Sequence, residues 1–158
     1  MRFIFTFINY RFRLAAFDEI LDPLRLHLSP GVSDYLLLNV IGGASKRIEA
    51  AIKRCRFTYL GSLSLDADIR EFVGYTKARL ASPSFSSTKG LYAVCLPLAR
   101  LSQISLLMTV TDLDDVTDIM RRAKGQWHLK ADDSKTFLTL RVDFEAKKVS
   151  ELLRLDND

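Results

Sequence analysis

The apolar residues Leu37, Ile41, Ala44, Ile48 and Ala51 recur at alternating spacings of four and three, the repeat of one face of an α-helix. Shorter stripes follow at Ile69, Phe72 and Val73 and at Val116, Ile119 and Met120, and no strand-like alternation persists once Met1 to Arg13 is set aside. A strand repeats every two residues and a helix every 3.6, so one segment cannot satisfy both. The pattern therefore predicts an all-α chain, a bundle of about six or seven helices.

Glycine and proline mark the expected boundaries. A first helix spans Phe17 to Leu28 and is ended or bent by Ser29-Pro30-Gly31. The second runs from Val32 to about Arg54 and contains Gly42-Gly43, where each glycine costs about 1 kcal/mol relative to alanine. Close approach of a neighbouring helix is the expected compensation. Phe57 to Leu65 reads as a connection, with Asp66 as N-cap of the third helix. Ser82-Pro83-Ser84 precedes a fourth helix, from about Phe85 to Met108, in which Pro97 predicts a kink near Val94 to Leu98. Asp112 or Asp114 caps a fifth helix ending near Gly125. Trp127 and Leu129 anchor the next connection on the bundle, and the last two helices run from Asp132 or Asp133 to Arg141 and from Phe144 to Leu153. The domain plan is an atypical segment 1–16, a helical domain 17–155 and a solvated tail 156–158.

A chain of 158 residues with 48% hydrophobic and 27% charged residues has the composition of one ordinary globular domain. Its net charge of +4 at first suggests an anionic partner, but Arg2, Arg11 and Arg13 carry three of those charges in a segment without an acid. That aromatic, basic start suggests a transit peptide, an interfacial anchor or a short signal, but its apolar run, Phe3 to Phe7 broken by Thr6, is shorter than that of a secretory signal, and the segment also reads as sequence that is not native. It also carries the rival function, a helical module binding nucleic acid or anionic membrane through its N-terminus. Leu91 to Met108 reaches the lower length limit of a membrane span. It contains Pro97, Arg100, Ser102, Gln103 and Ser105, so it reads instead as a buried helix.

Catalytic and metal chemistry find few inputs. Cys55 and Cys95 are isolated and read as buried free thiols in a reducing cytosol, and His27 and His128 as surface or helix-end residues. Gly42-Gly43-Ala44-Ser45-Lys46 lacks the spacing of a phosphate loop and follows no strand. Asp112, Asp114, Asp115 and Asp118 lack the glycine and closing glutamate of a calcium loop, and suit a helix N-terminus better. A non-catalytic role with no cofactor and no metal is expected.

Several strings occur in an order that resembles one family. Leu28-Ser29-Pro30 comes first. Tyr59-Leu60-Gly61-Ser62-Leu63 with Asp66 is similar to R-L-G-G-L-x-x-D, and Ile69-Arg70 stands for its L-R. Ala99-Arg100-Leu101-Ser102-Gln103 matches A-R-L-S-Q, and Val116-Thr117-Asp118-Ile119 is similar to V-T-E-I. Trp127 and Leu129 match W-x-L, and Leu138 to Phe144, including Leu140, Arg141 and Asp143, resembles L-A-L-R-I-D-F. Ser150 to Leu155 resembles the S-E-D-I-K-R-L-R-L ending. These resemble the C-terminal region of subunit four of the conserved oligomeric Golgi complex, over roughly residues 17 to 155. The resemblance implies the end of a helical-rod tethering subunit, normally several times longer. It implies action in retrograde intra-Golgi transport and so in maintaining glycosylation. The implied partners are other subunits of the complex, SNAREs and Rab GTPases, with peripheral attachment to the cytosolic face of Golgi membranes and no nucleic acid. Residues 1 to 16 have no counterpart in these strings.

Arg100 is the only charged residue from Leu91 to Met108 and shares a helical row with Leu96 and Ile104. A guanidinium cannot shed its proton, so on burial it needs a carboxylate or carbonyl partner. The expected partner is Asp133, which stands where the resembling family has the glutamate of T-P-A-E, with Asp132 as the alternative. Otherwise Arg100 extends to the surface. For a buried pair, Arg100→Trp should cost about 3 to 5 kcal/mol.

Overall fold

The computed structural model describes residues 10–81, 91–123 and 125–152. These form seven helices: α1 (Tyr10–His27), α2 (Pro30–Ile52), α3 (Tyr59–Leu80), α4 (Leu91–Thr109), α5 (Asp114–Arg122), α6 (Ala131–Leu138) and α7 (Ala146–Leu152). Among the described residues there is no strand, only an isolated parallel bridge between Phe57 and Arg141. The all-α bundle is therefore the fold. Expectations placed on residues 1–9, on the fourth helix before Leu91, and on 153–158 lie outside the described residues.

α4 is the central element because its apolar residues surround most of its circumference. Leu101, Ile104, Leu107 and Met108 are fully buried, with α2 and α3 packed on one side and α6 on another. α1 lies on α2 and α3, and α7 on α6. No described helix is long and apolar enough to cross a membrane.

Several boundaries differ from the sequence expectation, each for a local reason. α1 begins at Tyr10, inside the segment set apart as 1–16, and continues through Pro23. Ser29-Pro30 opens α2 rather than only closing α1, since Ser29 is extended and proline fits the first helical turn. The buried stripe of α2 keeps Leu37, Ile41 and Ile48 but ends on Ile52, leaving Ala51 exposed. Phe57 to Leu65 is not a connection. Thr58 accepts a hydrogen bond from the Gly61 N–H at 3.2 Å and starts α3 eight residues before Asp66. Asp66 instead reaches Ser105 of α4 and Arg70 one turn on. α6 stops at Leu138 because Phe57 takes the backbone of Leu140 and Val142, with Phe57 N–H donating to Leu140 O and Val142 N–H to Phe57 O. α7 begins at Ala146, after Phe144. Cys95 is exposed and Cys55 half-buried, so neither is the buried thiol expected.

The glycine pair of α2 is the other correction. A Cβ built on Gly42 or Gly43 meets nothing within 4 Å, so no neighbouring helix approaches there. Gly43 is exposed in mid-helix, and its backbone entropy is uncompensated. Gly43→Ala is expected to stabilise the chain by about 1 kcal/mol, a rise of about 2 to 4 °C in melting temperature for a chain of this size. An unchanged or lower melting temperature would contradict the open surface at that position.

Candidate functional site

A guanidinium has five donors and no acceptor, so a fold that buries one must aim carbonyls or carboxylates at it. Among the described residues, three arginines tie the helices together on this principle.

Arg141 is the deepest. Its side chain is only 1% exposed, and its Nη1 donates to the carbonyls of Met108, at 2.6 Å, and Val110, at 2.9 Å. These carbonyls lie at the end of α4, where helix geometry leaves C=O groups without intrahelical partners. α4 has no basic residue in its own last turn, so Arg141 caps it from elsewhere in the chain and complements its dipole. Nε donates to Asp143 Oδ1 at 2.8 Å, and Nη2 pairs with Oδ2. The ring centres of Phe144 and Tyr59 lie 4.3 and 5.3 Å from the guanidinium carbon. The Arg141 hydrogen bonds hold the Asp143 carboxyl below the usual carboxylate range.

Arg100, on α4, is 21% exposed at its side chain. Its guanidinium reaches Asp133 Oδ2 at 3.1 Å, and it takes Glu49 of α2 with two donors, Nε at 3.3 Å and Nη2 at 2.8 Å. Nη1 donates to the His128 carbonyl at 3.0 Å. Asp132 is exposed and makes no hydrogen bond with it. Lys53 adds a second cation, 3.2 Å from Glu49 and 3.4 Å from Asp133. Burial works against the charge on Glu49 and on Asp133, but the Arg100 and Lys53 contacts outweigh it and hold both carboxyls low. One turn on, Gln103 accepts from the His128 N–H at 2.8 Å and donates to the Gln126 carbonyl at 2.6 Å. Arg100 and Gln103 thus grip the backbone on both sides of Trp127, which packs against the core.

Arg79, in the last turn of α3, holds α1 through Asp22 at 2.8 Å and through Asp18, which Tyr75 also engages. Its contact with Asp22 raises the guanidinium above its ordinary range.

The remaining residues of the family-like strings divide between core and surface. Leu101, Leu129 and Leu140 are buried, whereas Leu60 and Leu63 are exposed. Ala99, Gly61 and Phe144 are half-buried, and Ser102 turns back onto the Leu98 carbonyl. Glu49 was not foreseen as the main partner of Arg100. A signal existed, since it is the only acid between Asp34 and Asp66. Among the described residues no group of three or more His, Cys, Asp or Glu is placed to hold a metal ion.

These depressed carboxyls set an acid limit. Glu49, Asp133 and Asp143 titrate lower in the fold than their ordinary values of 4.5, 3.8 and 3.8. Their contribution is therefore complete above the unfolded values and is lost as pH falls through the folded ones. The melting temperature should hold from neutral pH to about 5 and fall progressively below about 4, and Glu49→Gln should flatten that fall. An acid transition of equal depth in wild type and Glu49→Gln would exclude Glu49 from it.

Residues 9–136 match the family described as conserved oligomeric Golgi complex subunit 4, C-terminal. The match begins inside segment 1–16. The chain is 26% identical over 151 residues to conserved oligomeric Golgi complex subunit 4 of Drosophila melanogaster, covering 93% of this chain and 18% of that protein. It is 26% identical over 121 residues to the protein of the same name from Arabidopsis thaliana, covering 75% of this chain and 15% of that protein. The chain thus spans less than a fifth of these relatives. No solved structure gives a significant match.

Proposed function

Because the chain belongs to the family of the C-terminal region of conserved oligomeric Golgi complex subunit 4, we propose that it works as a non-catalytic part of a Golgi vesicle-tethering subunit. In this reading it acts in retrograde intra-Golgi transport and so maintains glycosylation, alongside other subunits of the complex and with SNAREs and Rab GTPases as further partners. It attaches peripherally to the cytosolic face of Golgi membranes. The observation that carries the reading is a family match running through six of the seven helices, from α1 into α6. A bundle whose helices are tied by arginine ion pairs suits an element that transmits position between partners.

The test is affinity purification from cell extract of the subunit with and without this segment, alongside lectin staining of surface glycans. The expected result is co-purification of tethering subunits by the intact protein and altered glycans when the segment is deleted. Recovery of ribonucleoproteins alone, or normal glycans after deletion, would overturn it. The rival nucleic-acid reading rests on segment 1–16, of which residues 1–9 lie outside the described part.

A further inference from the structure

One end of the bundle combines protruding apolar side chains with unneutralised basic ones. Leu60 is 73% exposed, Val142 59% and Leu63 40%. Leu60 and Leu63 lie three residues apart, on one face of the first turns of α3. They cannot readily retract, because Thr58 caps this helix and the Phe57 bridge holds the preceding turn against the chain at Arg141. The Val142 N–H bonded to the Phe57 carbonyl brings Val142 to the same turn.

The basic component lies next to it in sequence. Positions 46 to 56 hold five basic residues and one acid, Glu49, and no acid occurs from 50 to 65. Glu49 is already engaged by Arg100 and Lys53. Arg47, near the end of α2, and Arg54, in the turn that follows it, are both exposed. Arg56 is exposed and donates Nη1 to the Thr139 carbonyl, which leaves its charge without a carboxylate in that contact. Of the carboxylates close in sequence to these side chains, Asp143 and Asp66 are bound to Arg141 and Arg70, and the exposed Glu145 pairs with Lys148, while Asp133 is held by Arg100.

We propose that this end docks on an anionic lipid surface, with Leu60, Leu63 and Val142 entering the headgroup boundary and Arg47, Arg54 and Arg56 facing its phosphates. Protruding apolar side chains suit a fluid surface that closes around them, whereas a protein partner would have to present a matching groove. Neither signal suffices alone, since shallow apolar insertion is weak and a few basic residues give only modest attraction, but the two together give stable peripheral attachment. The inference deepens the membrane part of the proposed function and rests on it only for the choice of membrane.

The test is sedimentation of the full chain with vesicles of phosphatidylcholine alone and of phosphatidylcholine mixed with phosphatidylserine. Binding is expected only to the mixed vesicles and should weaken with salt. Arg47→Gln with Arg54→Gln should reduce partition by roughly 25-fold, about fivefold for each charge near the surface. Leu60→Ser with Leu63→Ser should reduce it at least about tenfold with the melting temperature kept, since both side chains are already exposed. Equal binding by the wild type and both pairs would overturn the inference. So would loss of binding in Arg2→Gln, Arg11→Gln, Arg13→Gln with retention in the two pairs, which would assign the lipid contact to the first sixteen residues. A chain that ignores both vesicle types yet still co-purifies with tethering subunits overturns this inference and leaves complex membership standing.

Discussion

Arg141→Met is expected to destabilise the chain by about 3 to 5 kcal/mol, the range for breaking a buried, hydrogen-bonded charge. Methionine fills part of the volume but donates nothing. The Met108 and Val110 carbonyls at the end of α4 then lose their donor, each at about 1 to 3 kcal/mol if left buried without one. The Asp143 side chain is 42% exposed, so the freed carboxylate turns to water and adds little. Asp143→Asn should accordingly cost about 1 kcal/mol, far less than the loss of its partner. Arg141→Lys should not rescue, because a single ammonium cannot span two carbonyls and a carboxylate or lie flat between Phe144 and Tyr59. Urea unfolding of the four proteins measures all of this. A cost under about 1 kcal/mol for Arg141→Met would remove Arg141 as the cap of α4.

Arg100→Ala is expected to cost about 2 to 3 kcal/mol, below the range for a fully buried pair. The sequence reading assumed burial, but Arg100, Glu49 and Asp133 are 21%, 19% and 27% exposed at their side chains, so water recovers part of the loss. Arg100→Trp should show a similar loss, since an indole cannot reproduce the fork that serves two carboxylates and the His128 carbonyl. Glu49→Ala should exceed Asp133→Ala, because Glu49 receives two hydrogen bonds from Arg100 and Asp133 one. Double-mutant cycles should therefore give a larger coupling for Arg100 with Glu49 than with Asp133. Melting temperatures unchanged in Arg100→Ala and Asp133→Ala would refute the pair. In cells, a loss of this size is expected to reduce abundance several-fold and, under the proposed function, to alter surface glycans.

Helical order was legible because it is local. The 3.6-residue stripes are written into consecutive residues, and Leu37, Ile41, Ile48, Ile69, Phe72 and Val116 are all buried. Errors fell where one local signal competed with another. Asp66 is as good a cap by residue type as Thr58, but only Thr58 stands next to a backbone that turns there to meet Phe57 and Leu140. Gly42-Gly43 permits close helix approach without requiring it, and no neighbour comes.

The sequence by itself determined the class of fold, the order of its helices, the strings that carry the family resemblance, and the need of Arg100 for an acceptor. A lone guanidinium in an apolar helix states that need without reference to the rest of the chain. Only the tertiary structure decided which acceptors answer: Glu49, 51 residues away, together with Asp133, 33 away. It also decided that Arg141 is buried while Leu60 and Val142 stand in solvent. Those outcomes depend on how helices cross and in what register they meet, set by ridges of side chains fitting grooves across the bundle. A repeat along the sequence fixes which face of a helix is apolar, but not the neighbour that face meets.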